Sequence, residues 1–377
     1  MQHHRHHIHY AHLILKNKEL REMYAATSLK TLALSMVGVF IPLFLMLEQG
    51  LDLQHVLTFY VVNTVAYILA APFAGKLASK FGLKRLAVIT APMFAIFYYG
   101  LYNFVNLGIS INYFAILLGL AEALYWIPFI THFIRFSDKK HRSEEVGFLS
   151  GTTLLSAMLG PFIGGLLITL FNFTLLFIVA SILLLLSVFP ILFTKNYHEP
   201  FKCSLEDLSK LSKKGATKMM SIGGINLVEF VFWPIFLFAS VGVYAELGLI
   251  FLIAEFVSIV GSFLFGSVEN RNKLRMFLRI GGVLCALTWF SRMWIEGVLL
   301  LALLTIISSF LHEMVVVPFN TLAFDKVVKK KYLSEYVVFR GIMTGIGRLI
   351  VLGVVSVSLN VKSSFIVSGL MYLTYLI

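Results

Sequence analysis

A chain of 377 residues that is 59% hydrophobic and 13% charged, with a mean hydropathy of +0.87, lies outside the range of soluble globular domains and inside that of polytopic membrane proteins. The net charge of +12 does not indicate a nucleic-acid partner, because the basic residues alternate with the loops between apolar runs. Residues 1–26 are polar and His-rich, so no cleavable signal peptide is evident, and the first apolar run is long enough to act as an uncleaved anchor.

Stretches of about 17 to 25 apolar residues, enough to cross a bilayer, predict twelve helices. They fall near 27–48, 55–75, 86–107, 111–134, 146–170 and 172–194, then 218–240, 243–266, 276–292, 298–320, 336–358 and 361–377. The longest connection, 195–217, divides an N-terminal half (27–194) from a C-terminal half (218–377), with a tail at 1–26. Within it Ser204 and Asp207 read as a capping box, and Leu205, Leu208 and Leu211 as one side of a short amphipathic helix. Lys and Arg gather on alternate loops: Arg5, Lys16, Lys18, Arg21 and Lys30 in the N-terminal segment up to the start of the first span, Lys76 to Arg85, Arg135 to Arg142, the linker, Arg271 to Arg279, and Lys326 to Lys331. Only Arg292 and Lys362 fall on the other side, and Arg340 and Arg348 lie within span 11. The positive-inside rule then predicts an all-α integral membrane protein with both termini cytoplasmic. Cys203 in the linker and Cys285 in a span are not expected to form a disulfide.

Prolines punctuate the chain regularly. Pro42, Pro128, Pro234 and Pro318 lie in the later part of spans 1, 4, 7 and 10, and three of them follow an intramembrane glutamate: Glu122, Glu229 and Glu313. The pattern predicts four copies of one kinked helix, related as inverted pairs within each half.

After span 2 the sequence reads Gly75-Lys76-Leu77-Ala78-Ser79-Lys80-Phe81-Gly82-Leu83-Lys84-Arg85. This resembles the loop signature of the major facilitator superfamily, with Gly75, Lys80, Gly82, Lys84 and Arg85 matching and Ser79 standing where the family has aspartate. Ser79 would still cap the next helix. Span 5 carries Gly147, Ser156, Gly160-Pro161 and Gly164-Gly165, similar to the glycine-rich helix of the superfamily's proton-coupled drug antiporters. Small residues along one face allow close backbone approach. The resemblance implies two pseudo-symmetric six-helix halves that rock about a central cavity lined by helices 1, 4, 7 and 10. Glu122, Glu229 and Glu313 would face that cavity, and Glu255 on span 8 would suit the seam between halves.

A carboxylate in mid-membrane is costly and marks an ion or substrate path. Glu122, Glu229, Glu255 and Glu313 outnumber the one deep arginine, Arg348, which is expected to hold Glu313 or Glu255; Arg340 is shallow enough to snorkel. Glu122 and Glu229 are the expected carriers of protons or binders of cation, and Tyr125, Trp126, Phe232 and Trp233 beside them the aromatic surfaces for a solute. The combination predicts a monomeric secondary transporter of a bacterial inner membrane, exporting a small amphipathic or cationic compound against protons, with the proton gradient as energy source and no cofactor. Nutrient uptake, flipping of a lipid-like solute and a transport-dead scaffold are the competing readings. An enzyme is disfavoured, since His312-Glu313 begins a zinc-protease pattern that Val316 breaks, and no nucleotide-binding loop is present. The histidines at positions 3, 4, 6, 7, 9 and 12 read as a tail rather than a metal site.

Overall fold

The computed structural model describes residues 18–136, 142–192, 196, 198, 201, 213–268, 270–327 and 333–376. The tail histidines, Cys203 and the proposed linker helix at Ser204 to Leu211 lie outside them. Among the described residues every regular element is a helix and none is a strand. Here α1 is Lys18–Gly38, resuming at Ile41–Leu43; α2 is Leu53–Phe81, α3 Leu83–Asn103, α4 Ile111–Phe136, α5 Arg142–Leu170 and α6 Phe173–Leu192. Next come α7 (Lys213–Leu227, resuming at Trp233–Val241), α8 (Tyr244–Gly266), α9 (Arg271–Ser291), α10 (Val298–Val327), α11 (Leu333–Ser358) and α12 (Lys362–Leu373). Eleven of these segments are long and apolar enough to cross a membrane, and α12 is a shorter helix extended by one turn, Thr374–Leu376. The long helices overrun the expected spans at the ends rich in Lys and Arg, because those residues are good helix formers that a hydropathy window does not count.

Proline reshapes α1 and α7 but not α4 and α10. Pro234 has no N–H to offer the carbonyl of Phe230, and the chain responds with a wide π-helical turn, Val228–Phe232, closed by Trp233 N–H on the Val228 carbonyl. In α1 the helix breaks before Pro42 and a π-helical turn follows at Phe44–Glu48. Pro128 and Pro318 sit inside continuous helices. The response to proline is therefore shared between halves, α1 with α7 and α4 with α10, so the four helices are not copies of one kink.

Large apolar side chains such as Leu69, Phe73, Ile96, Phe189 and Val357 face outward, as they do where hydrocarbon replaces water. The interior is aromatic, with Phe40, Phe44, Phe59, Phe97, Trp233 and Trp289 fully buried. Two seams join the groups of six helices: α5 against α8 and α2 against α11. Glycines set the first, where a side chain at Gly165 would meet the Tyr244 carbonyl and one at Gly248 the Pro161 carbonyl. Two other α5 glycines, Gly160 and Gly164, press on Ser35 and Met36 of α1 and on Phe40 at its break, so the glycine face serves a packing contact within its own half as well as the seam.

Candidate functional site

Across the halves, Arg348 of α11 meets Glu122 of α4 at 3.6 Å, Nη1 to Oε2. Asn63 of α2 faces the same carboxylate, and the Arg348 guanidinium lies 5.4 Å from the Tyr67 ring. Both side chains are surrounded by protein yet keep accessibilities of 25% and 23%, so they line a space rather than pack solid. Arg348 thus binds Glu122, not Glu313 or Glu255 as expected. Charge balance alone could not choose among four carboxylates; the approach of α4 to α11 does.

The other three acids gather in the C-terminal half. Glu313 of α10 accepts hydrogen bonds from Ser258 (2.9 Å) and Ser262 (2.6 Å) of α8, where Gly261 lets the two helices approach. Glu255 lies one turn earlier on α8 and feels the charge of Glu229 and Glu313. Glu229 is carried by the π-helical turn of α7. Among the described residues, no hydrogen bond or ion pair reaches Glu229 or Glu255, so these two are the acids left over.

Two buried cations escaped the sequence reading. Lys30, taken as an end flank of span 1, is 3% exposed; its ammonium donates to Thr90 Oγ1 at 2.7 Å and lies 3.5 Å from the Tyr125 ring centre. Arg292, placed in an outer loop, is fully buried, with its guanidinium 3.9 Å from the Trp233 ring and 3.8 Å from that of Trp289. The available signal was position: Lys30 lay inside its predicted span, and Arg292 ended one. Arg340 likewise does not snorkel freely, since it donates to Asn320 Oδ1 at 2.9 Å and lies 5.3 Å from the Phe324 ring.

Of the aromatic candidates, only Trp126 is open, at 38% exposure. Tyr125 underlies Lys30, while Phe232 and Trp233 are buried in the core. Trp233 also donates to Thr305 Oγ1 at 3.2 Å.

In the last turn of α2, Ser79 does not cap α3; its hydroxyl returns to the Lys76 carbonyl of its own helix at 2.9 Å. Asn196 does that work, accepting from Lys84 N–H at 3.3 Å and donating to the Phe81 carbonyl at 2.9 Å. Gly82, at φ 86°, gives the turn a conformation other residues rarely adopt, and Gly75 lies under Phe201 and Val338. Lys84 Nζ reaches the Leu192 carbonyl at 2.6 Å, whereas Lys80 and Arg85 are exposed. On α5, the Ser156 carbonyl accepts from Ser35 at 3.4 Å, and Gly147 lies one turn from that helix's start.

The sequence profile of the Major Facilitator Superfamily matches residues 23–352, nearly the whole described bundle. The chain belongs to that superfamily. It is a transporter rather than an enzyme, with the major facilitator fold. Among its relatives is Multidrug resistance protein 2 of Bacillus subtilis, 24% identical over 316 residues, 77% of this chain and 74% of the relative. Multi-drug resistance efflux pump PmrA of Streptococcus pneumoniae is 29% identical over 190 residues, 48% of this chain and 46% of the pump. Solved structures with the same fold include the human organic anion transporter MFSD10, at a TM-score of 0.69 and 11% identity over 95% of this chain and 98% of that one. Another is the E. coli fucose:proton symporter FucP, at 0.68 and 13% over 94% and 96%.

Proposed function

We propose that this superfamily member is a proton-coupled exporter of small amphipathic or cationic compounds, working by alternating access in a bacterial inner membrane with both termini cytoplasmic. One observation carries the reading: Glu229 and Glu255 stand in the membrane interior without a bonded partner among the described residues, while Glu122 is tied to Arg348 across the two halves. Two carboxylates with no bonded counter-ion are stabilised by protons or by a bound cation, and exchange of one for the other is antiport. Protonation of Glu122 would release Arg348 and let the halves separate, so the same ion that loads the C-terminal acids loosens the closure. The relatives named for multidrug resistance and multi-drug efflux support export as the direction of transport. Neither a cofactor nor a second subunit is required.

Proteoliposomes with an imposed pH gradient test this directly. Ethidium movement driven by the gradient is expected for the native chain and lost in Glu229→Gln; gradient-driven movement that persists in both Glu229→Gln and Glu122→Gln would sink the proposal.

A further inference from the structure

Arg292 closes α9 and leads into the turn that follows it. Its guanidinium sits in a corner made by Trp233 and Trp289, whose rings are 6.0 Å apart and inclined at 76°. The walls are braced without it. Trp233 is held by its hydrogen bond to Thr305, whose hydroxyl is fixed in turn on the Leu301 carbonyl at 2.7 Å. Phe365 of α12 packs against both indoles, at 5.6 and 5.7 Å. Helices α7, α9, α10 and α12 therefore shape the corner, and Arg292 fills it.

The filling is imperfect. Arg292 donates through Nη2 to Ser308, but Nε and Nη1 are buried with no acceptor among the described residues. A guanidinium has five donors and is poorly settled with so few engaged. Among the described residues no carboxylate reaches ion-pair distance of Arg292; Glu229, one turn before Trp233 on α7, attracts it only through space. What holds Arg292 is chiefly the two indole faces, and aromatic faces recognise organic cations in the same way.

We propose that the Trp233–Trp289 corner is a recognition site for a flat or quaternary organic cation, occupied in this structure by the chain's own Arg292, which the substrate displaces. Glu229, carried on the π-helical turn of α7, a feature frequent at functional sites, then serves as counter-charge to the incoming cation. The proposal rests on the reading of the chain as a cation exporter and adds where the cation is held and what it competes with.

The test uses the full chain purified in detergent, with tetraphenylphosphonium as probe, read by tryptophan fluorescence and by the shift of the thermal unfolding midpoint. Arg292→Gln is expected to bind about 10-fold more tightly and to gain a larger ligand-induced shift than the native chain, and Trp233→Leu to lose the binding. Arg292→Lys, which keeps the charge but not the planar stack, is expected to fall between native and Arg292→Gln. That variant carries the test alone if Arg292→Gln does not fold: its binding must then be tighter than native. Binding by a folded Arg292 variant that equals or falls below native overturns the corner while leaving cation export standing. Failure of every variant and of the native chain to bind the probe overturns both.

Discussion

Removing the charge of Glu122 should show how strongly the two halves are tied. Two unit charges 3.6 Å apart attract by roughly 4.6 kcal/mol at an effective dielectric of about 20. Desolvation of both ions offsets most of this, leaving a coupling of about 1–2 kcal/mol. The measurement is a double-mutant cycle over Glu122→Gln, Arg348→Gln and the pair, using reversible denaturation in mixed micelles. Either single variant should be destabilised, because it leaves a partner charged and uncompensated, and the double variant should recover part of the loss. Spin labels on α4 and α11 should also report a larger share of separated halves in the single variants. A coupling within about 0.3 kcal/mol of zero, with unchanged label distances, would refute the pair as a tie between halves.

Replacing Ser258 and Ser262 together by alanine strips Glu313 of both donors and should cost about 2–4 kcal/mol, seen as a lower unfolding midpoint, with Glu313→Gln restoring part of it. A side chain at Gly248 would strike the Pro161 carbonyl, so Gly248→Val should slow transport and lengthen the α5–α8 distance between paired spin labels. Gly82→Ala forces a side chain into φ 86° and onto Asn196; hydrogen exchange at the start of α3 should rise by about tenfold, for roughly 1–2 kcal/mol of strain. Asp52, at the start of α2, is held below the usual carboxylate range by the His55 N–H and imidazole. Its capping contribution is therefore present above the unfolded carboxyl's pKa and lost as pH falls through the depressed folded value. Amide exchange in the first turn of α2 should accelerate in that acid window, and Asp52→Asn should remove the pH dependence.

Most of the architecture was legible because hydropathy responds to the bilayer residue by residue: the apolar runs fall on α1 to α12, and Pro42 and Pro234 mark the places where backbone bonds are missing. The pairing of charges was not legible. Arg348 and Glu122 are 226 positions apart, and only the crossing of α4 and α11 brings them together. Lys30 and Arg292 were misplaced for a related reason, since a window counts a cation near a span end as solvated, whereas Tyr125 and Thr90, or Trp233, Trp289 and Ser308, draw it inward. Ser79 illustrates the reverse error. Its type suits a cap, but its hydroxyl is satisfied one turn back, and Asn196, from beyond α6, takes the cap.

Exchange of a proton for a cation at Glu229 and Glu255 implies that binding and proton release are one event. The direct measurement is the pH change of a weakly buffered solution of the purified chain on addition of tetraphenylphosphonium. Antiport predicts protons released in proportion to cation bound, abolished in Glu229→Gln together with Glu255→Gln. Saturable binding with no release, or release undiminished in that double variant, would contradict it.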